Sequence, residues 1–292
     1  MTITAMNYAA QAQFGLIKAG KVMSHWGFKE DSEYLSTLSK RIGNAIHFAI
    51  PDDGRVFNDE LKGLNGAVFR LPYPEITIEY FINNKGVVSP DIADIASAPT
   101  KVVLLLKETH IQDDVYEIEA HTIHYLKKPD LWSCGILHAV FNNVFNETSI
   151  KYVYNTPQMT ANDFNVGRLN EGHVAMIRRG TLQTLIGAFE FIEAMSCINV
   201  KAEPINKIDQ AKANRRFKDG KLPIYETRIL TVDTSAHHNE KLGMTVTDRA
   251  SVRQHLRRGH IRRHPTAGNI WVQSCVVGYS ELGVINKSYK VH

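Results

Sequence analysis

The chain has 292 residues, of which 43% are apolar and 22% are charged. This balance is typical of a folded globular protein and excludes an intrinsically disordered chain. No window approaches the roughly 18 consecutive apolar residues of a membrane span, and the first residues lack the basic start and apolar core of a signal peptide. We therefore expect a cytoplasmic protein without a membrane-spanning segment.

The charge is uneven along the chain, although the formal net charge is only +4. Residues 201–292 carry 17 Lys or Arg against 8 Asp or Glu, whereas residues 1–200 carry 17 against 22. A basic segment of this kind indicates a polyanionic partner, and nucleic acid is the leading polyanion of a cytoplasm. The alternative is internal, with the acidic part of the chain neutralising the basic part.

The three cysteines, Cys134, Cys197 and Cys275, are widely separated and include no Cys-x-x-Cys pair. They indicate neither a disulfide framework nor a structural zinc site, and buried reduced thiols are the simpler interpretation. We predict no cofactor and no metal from the sequence.

Two helices are predicted near the N-terminus. Residues 5–24 are rich in alanine and favour the first helix. The second is predicted to begin at Asp31 or Ser32, because apolar residues then recur at helical spacing as far as Ala49. His47 lies near this apolar stripe and is interpreted as a packed histidine rather than as a ligand.

The middle of the chain predicts strands followed by a helix. Residues 76–82 have the pattern of a strand, and residues 101–107 form an apolar run that we expect in a sheet buried on both faces. Residues 115–126 alternate at first between apolar and polar side chains, which indicates a strand with one wet face. A helix is predicted at residues 181–195, where a one-sided apolar stripe favours packing on the sheet.

Four polar residues of the strand at 115–126 form a candidate acid/base or metal group, namely Glu117, Glu119, His121 and His124. A carboxylate and an imidazole two residues apart on a strand share one face of the sheet. Solvent-exposed strand residues give the same pattern, and this plainer interpretation is favoured.

These elements predict the α+β class, with a mixed or antiparallel sheet, a packing helix, a helical N-terminal extension and a basic C-terminal β-hairpin. We predict a helical region over residues 1–60 and an α+β domain over residues 61–292, of which residues 201–292 are the basic third. The sequence shows no internal repeat and no low-complexity linker.

A basic helix is predicted early in the basic third. Residues 207–221 hold six Lys or Arg against two Asp, and a strand is predicted at residues 225–232. Lys212, Arg215 and Arg216 share one helical face at spacings of three and four, which suits phosphates along a nucleic-acid backbone. A solvated helix before a strand gives the same pattern.

The densest basic segment is residues 251–275, with five arginines and three histidines. Residues 257–264 are predicted to be extended, residues 265–268 to turn, and residues 269–277 to return as a strand, which together predict a β-hairpin. The residues of this segment that we predict to bind phosphate are Arg257, Arg258, His260, Arg262 and Arg263.

Arginine presents a rigid fork of donors to phosphate, and histidine exchanges a proton near neutral pH. We therefore predict binding of RNA, DNA or another phosphate-bearing ligand. Two other functions stay open: a metal-independent ribonuclease that uses His255 and His260, and an inhibitor that engages a host protein. A structural alternative pairs the arginines with Glu117, Glu119 and other acids. Metal binding by histidines of this segment is disfavoured, because the arginines repel a cation.

Three segments resemble a family of uncharacterised proteins encoded by bacteriophages, prophages and related bacterial elements. They are RLPYP with IEY at residues 70–80, INK with RRFKDGKLPIYETRIL at residues 205–230, and HLRRGHIRR, IWVQSCVVG and KSYKV at residues 255–291. The last segment is the most specific. The resemblance implies a phage-type origin, a bacterial host cytoplasm and a shared C-terminal module, and it implies no particular chemistry.

Overall fold

The protein is described from a computed structural model. The structure describes residues 6–56, 70–82, 101–126, 130–144, 150–156, 171–205 and 209–232, and the backbone of residues 253–257, 260–264, 268–272, 275–277 and 279–284.

Four α-helices lie in these ranges: α1 (Tyr8–His25), α2 (Lys29–Asn44), α3 (Glu171–Met195) and α4 (Gln210–Lys218). The helix predicted at residues 5–24 is confirmed by α1, and the one at residues 181–195 by α3, which begins earlier. Among the described helices, none combines the length and apolar character that a membrane crossing requires.

Nine strands form one mixed sheet: β1 (Ile46–Ala49), β2 (Glu75–Phe81), β3 (Lys101–Gln112), β4 (Val115–Leu126), β5 (Leu131–Cys134), β6 (Leu137–Asn142), β7 (Lys151–Tyr154), β8 (Val200–Pro204) and β9 (Thr227–Val232). Their order is β7-β6-β4-β3-β2-β1-β9-β8, and β5 pairs with β4. β1 runs parallel to β2 and β9, and the other neighbours are antiparallel. The predicted α+β class with a mixed sheet is therefore confirmed.

The predicted end of the second helix is wrong. α2 ends at Asn44, and residues 46–49 form β1, which lies between β2 and β9. Both edges of β1 are therefore hydrogen-bonded to neighbouring strands, and Phe48 packs against Phe191 of α3 with ring centroids 4.8 Å apart. Pairing with strands distant in sequence outweighs the local helical spacing of the apolar residues.

Helices cover both faces of the sheet, because successive side chains of a strand point to opposite faces. Val102, Leu104 and Leu106 of β3 join a core with α3. Val103 and Leu105 join a second core with α1 and α2. All five side chains are fully buried, which confirms the prediction of a strand buried on both faces.

A carboxylate of the sheet binds the N-terminus of α1. Glu79 of β2 is 1% exposed, and its two oxygens accept hydrogen bonds from the backbone N–H groups of Met6 at 3.2 Å and Ala9 at 3.0 Å. The first N–H groups of a helix lack partners within the helix, so Glu79 satisfies that of Ala9, holds the chain just before α1 through Met6, and complements the helix dipole. Burial raises the pKa of Glu79 against the lowering effect of these donors.

His47 of β1 is buried, which confirms its interpretation as a packed histidine. Its Nδ1 lies 2.7 Å from the hydroxyl oxygen of Thr77, and its ring stacks on Tyr225 with centroids 4.1 Å apart. Burial lowers the pKa of His47 to about 3, so the imidazole is neutral in the folded protein near pH 7.

The described part of the basic third contains five further strands: β10 (Arg253–Arg257), β11 (His260–His264), β12 (Gly268–Val272), β13 (Cys275–Val277) and β14 (Tyr279–Val284). β11 and β12 pair antiparallel, as predicted for the hairpin. β10 pairs with β13 and β14. Arg257 therefore ends a different strand from the one that holds His260, and the single strand predicted over residues 257–264 is wrong in this respect.

We expect Glu79→Ala to lower the free energy of unfolding by about 2 kcal/mol, because the N–H groups of Met6 and Ala9 at the start of α1 lose their acceptor. Urea denaturation of the two proteins measures the difference. Glu203→Ala, at an exposed position of β8, is the matched control and should stay within about 0.5 kcal/mol of the native protein. Equal losses for both variants would contradict the capping role of Glu79.

The buried His47 should make stability depend on pH. An unfolded histidine takes up its proton near pH 6.5, whereas His47 in the fold does so only near pH 3. The contribution of this neutral histidine to stability is thus complete above pH 6.5 and is lost as the pH falls toward 3. Between about pH 6 and pH 4, His47→Asn should lose stability less steeply than the native protein, by about 1.4 kcal/mol per pH unit. Denaturant titrations over this range test it, and parallel curves would contradict it.

Candidate functional site

The basic residues predicted to bind phosphate are divided among three elements. Those on α4 have described positions, those on β10 and β11 are described by their backbone, and Arg258 lies outside the described residues. The elements and their residues are α4 with Lys212, Arg215 and Arg216, β10 with Arg257, and β11 with His260, Arg262 and Arg263.

α4 presents basic side chains to solvent. Lys212 and Arg215 are exposed, whereas Arg216 is half-buried and its Nε donates to the carbonyl of Leu222 at 3.3 Å. In the part of the chain that is described, Lys212 and Arg215 form no ion pair. The predicted helical spacing of these residues is confirmed by α4, whereas their role in binding stays a prediction.

The hairpin fixes the register of the basic residues of β11. His260 pairs with Val272, Arg262 with Ile270, and Arg263 with Asn269. Consecutive positions of a strand belong to opposite faces, so the positions of Arg262 and Arg263 are on different faces of the hairpin. His255 lies on β10, where it pairs with Val277, so the two histidines of the ribonuclease hypothesis come from different strands.

A second group of polar side chains lies between α2 and the sheet, outside the basic third. We call it the polar cluster, and it consists of Tyr34, Arg41, Glu75, Glu119, His121 and His138. It includes Glu119 and His121 of the predicted acid/base group. Its other four members come from α2, β2 and β6.

Simple spacings bring these residues together. Tyr34 and Arg41 are seven residues apart, close to two turns of helix, and so share one face of α2. Glu119 and His121 are two apart on β4 and share one face of the sheet. The antiparallel register that pairs Ala120 with Ala139 carries His138 of β6 to the level of His121.

Arg41 joins α2 to two strands that are not neighbours. Its Nε donates to Oε1 of Glu75 at 2.6 Å, and its two terminal nitrogens each lie 3.4 Å from an oxygen of Glu119. The side chains are 19%, 24% and 30% exposed, in the order Arg41, Glu75 and Glu119. This partial burial strengthens the ion pairs relative to those on an open surface.

The hydrogen bonds of His121 assign its tautomer. Its Nε2 lies 2.5 Å from Oε1 of Glu119, and its Nδ1 lies 2.9 Å from the hydroxyl of Tyr34. A carboxylate only accepts, so Nε2–H donates to Glu119 and Nδ1 accepts from Tyr34. Burial lowers the pKa of His121 and raises that of Tyr34, which keeps the imidazole neutral and the hydroxyl protonated.

Glu119 is held as a carboxylate. The hydrogen bond from His121, together with the charge of Arg41, outweighs partial burial and lowers the pKa of Glu119 to about 2. The acid is therefore ionised over the whole physiological range of pH.

His138 has the opposite tautomer. Its Nδ1 lies 2.7 Å from Oδ1 of Asn155, and the amide nitrogen of Asn155 donates to the carbonyl of Gly135. Oδ1 is thus an acceptor, so Nδ1 carries the hydrogen of this bond, and Nε2 is the ring nitrogen left for another partner. Nε2 lies 4.0 Å from Oε1 of Glu119, and the ring stacks on His121 with centroids 4.6 Å apart.

The predicted acid/base group is partly assembled. Glu119 and His121 are in contact, and His121 is 2% exposed, so the favoured interpretation as solvent-exposed strand residues is wrong for His121. His124 lies three positions on and therefore on the opposite face, paired with Val102 of the α3 core. Glu117 shares the face of Glu119 but has no described contact with the cluster.

Sequence reasoning missed the cluster members that come from other elements. Tyr34 and Arg41 carry a signal in their seven-residue spacing on a helix, and His138 alternates with apolar residues of β6. Each pattern is common, however, and only the register of the sheet brings them to Glu119.

Comparison with protein-family models, with curated proteins and with solved structures finds no match for this chain. The chemistry of the polar cluster is therefore argued from its geometry. A carboxylate between two imidazoles is an arrangement that serves proton transfer or metal binding.

We expect Arg41→Met to lower the free energy of unfolding by about 1–2 kcal/mol, because two partly buried carboxylates lose their cation. Lys40→Met, at the exposed neighbouring position of α2, should stay within about 0.5 kcal/mol of the native protein. A double-mutant cycle with Glu119→Gln should show coupling between Arg41 and Glu119, and additive losses in urea denaturation would contradict the assignment.

Proposed function

We propose that the protein binds nucleic acid, or another phosphate-bearing ligand, through its basic C-terminal third. The observation that carries the proposal is the exposed basic face of α4. Lys212 and Arg215 are one turn apart, open to solvent and without an ion-pair partner among the described residues. Cations at this spacing suit successive phosphates of a backbone.

The distribution of charge supports the same proposal. Residues 201–292 carry a net charge of +9 when histidine is neutral, which raises the local concentration of a polyanion and speeds its association. Glu119 was a proposed internal partner for the C-terminal arginines. It is already bound by Arg41 and His121, which weakens the alternative of internal neutralisation.

The hairpin would extend the basic surface. The backbone of β11 carries His260, Arg262 and Arg263 within five residues, paired along its length with β12. His260 and Arg262 are two positions apart and so share one face of the hairpin, which is the face that we propose to add to the basic surface.

The proposal includes a phage or mobile-element origin and action in the cytoplasm of a bacterial host. The resemblance of the segment at residues 255–291 to phage-encoded proteins supports the origin. The absence of a membrane-crossing helix among the described residues is consistent with that compartment.

The test is binding of the full chain to labelled single-stranded RNA and double-stranded DNA across a salt series. We expect the logarithm of the association constant to fall linearly with the logarithm of the salt concentration. The variant with both Lys212→Ala and Arg215→Ala should reduce the slope by up to about 2, because each lost phosphate contact removes about one counterion.

The matched control removes the same charge from α1, with Lys18→Ala and Lys21→Ala at two exposed positions. An unchanged slope in the control, with a reduced slope in the α4 variant, would support the proposal. Absence of binding at low salt, or equal slopes in both variants, would overturn it. The same samples, incubated with EDTA and run on a gel, test the ribonuclease hypothesis. Products that disappear in His260→Ala would favour cleavage over binding alone.

A further inference from the structure

We propose that Glu119, His121 and His138 bind a divalent transition-metal ion, such as Zn²⁺ or Co²⁺. The candidate ligand atoms of these three side chains all lie within 4.8 Å of one another. Three ligands around one ion are separated by roughly 3–3.5 Å when each bond is about 2.0–2.2 Å long, so small side-chain shifts would close the site.

The donor set suits such an ion. Two imidazoles with one carboxylate are used by catalytic zinc sites and by non-haem iron sites, where they leave coordination positions open. Ca²⁺ and Mg²⁺ prefer oxygen ligands and fit this set poorly. The carboxylate of Glu119 is 30% exposed and His138 is 14% exposed, so an ion would reach the site from solvent.

Each of the three ligands also has an oriented partner behind it. His138 donates from Nδ1 to Asn155, Nδ1 of His121 is hydrogen-bonded to Tyr34, and Glu119 is bound by Arg41. Metal-ligating histidines almost always have such a partner on the second ring nitrogen, because it fixes the ring orientation and the tautomer. This arrangement distinguishes the cluster from a chance meeting of polar side chains.

His138 is ready to ligate, whereas His121 must change its tautomer. The hydrogen bond to Asn155 occupies Nδ1 of His138 and leaves Nε2 to ligate, but Nε2 of His121 carries the hydrogen bonded to Glu119. On metal binding the hydrogen of His121 moves from Nε2 to Nδ1, and the hydroxyl of Tyr34 changes from donor to acceptor. The imidazole is neutral before and after, so the exchange needs no net gain or loss of protons.

The positive guanidinium of Arg41 repels a bound cation, and the two carboxylates beside it reduce this repulsion. Nη1 of Arg41 lies 3.4 Å from Nε2 of His121. The carboxylates of Glu75 and Glu119 carry two negative charges against the one positive charge of Arg41, so the group has a net charge of −1 before an ion binds. Arg41 also keeps its shorter hydrogen bond to Glu75, at 2.6 Å. We expect Oε1 of Glu119 to bind the ion while Oε2 stays with Arg41.

The test is titration of the full chain with Co²⁺ after EDTA has been used and removed, followed by visible absorption and by competition with Zn²⁺. We expect one Co²⁺ per chain with d–d bands of nitrogen and oxygen ligation, displaced by Zn²⁺. His138→Gln and Glu119→Gln should each weaken the affinity by at least about tenfold, because each removes a ligand. Zn²⁺ should also raise the melting temperature of the native protein, because it binds the folded state.

His110→Gln is the matched control, because His110 is exposed and lies on β3 outside the cluster. It separates the proposed site from adventitious binding by the other histidines. Circular dichroism checks that the ligand variants fold, and either folded variant decides the question. Native affinity in either His138→Gln or Glu119→Gln, once that variant is shown to fold, or no binding by the native protein, would overturn the proposal.

Discussion

A single guanidinium determines how the polar cluster is built. Arg41 projects from α2 and binds carboxylates from β2 and β4, two strands that are separated by β3. Partly exposed ion pairs of this kind contribute modestly to stability, but their geometry is specific because guanidinium nitrogens are fixed in one plane. Arg41 thus fixes Glu119, and Glu119 with Tyr34 determines which nitrogen of His121 carries hydrogen.

A buried carboxylate, Glu79, attaches the other N-terminal helix to the sheet. Glu79 binds the N-terminus of α1, so both N-terminal helices are attached to the sheet by acids of β2 or β4. Apolar contacts of Val103 and Leu105 with α1 and α2 supply the nonpolar part of this interface. Together these contacts hold α2 close enough to the sheet for Tyr34 to reach His121.

Much of the fold was predictable because its signals are local. The helices α1 and α3, the strands β2 to β4 and the pairing of β11 with β12 follow from apolar periodicity and turn residues. The end of α2 was not predictable in this way, because residues 46–49 fit a helical stripe and become a strand only through pairing with β2 and β9. Strand order depends on contacts between residues far apart in sequence, and no local pattern encodes it.

The two candidate sites also differ in how far the local sequence reveals them. The basic residues of α4 and β11 stand out by composition, so sequence alone identifies them. In the polar cluster only Glu119 and His121 are close neighbours in the sequence. The residues that orient them or lie beside them, namely Arg41, Tyr34 and His138, come from other elements. The hydrogen bond to Asn155 places a hydrogen of His138 on Nδ1, so Nε2 is the ring nitrogen that lies near the ionised Glu119.

Long-range ¹H–¹⁵N NMR of the histidine side chains measures this tautomer directly, with His121→Gln and His138→Gln used to assign the signals. We expect hydrogen on Nδ1 of His138, and a neutral His121 with hydrogen on Nε2, at pH 7. A His138 whose Nδ1 carries no hydrogen, or a doubly protonated His121, would contradict this assignment.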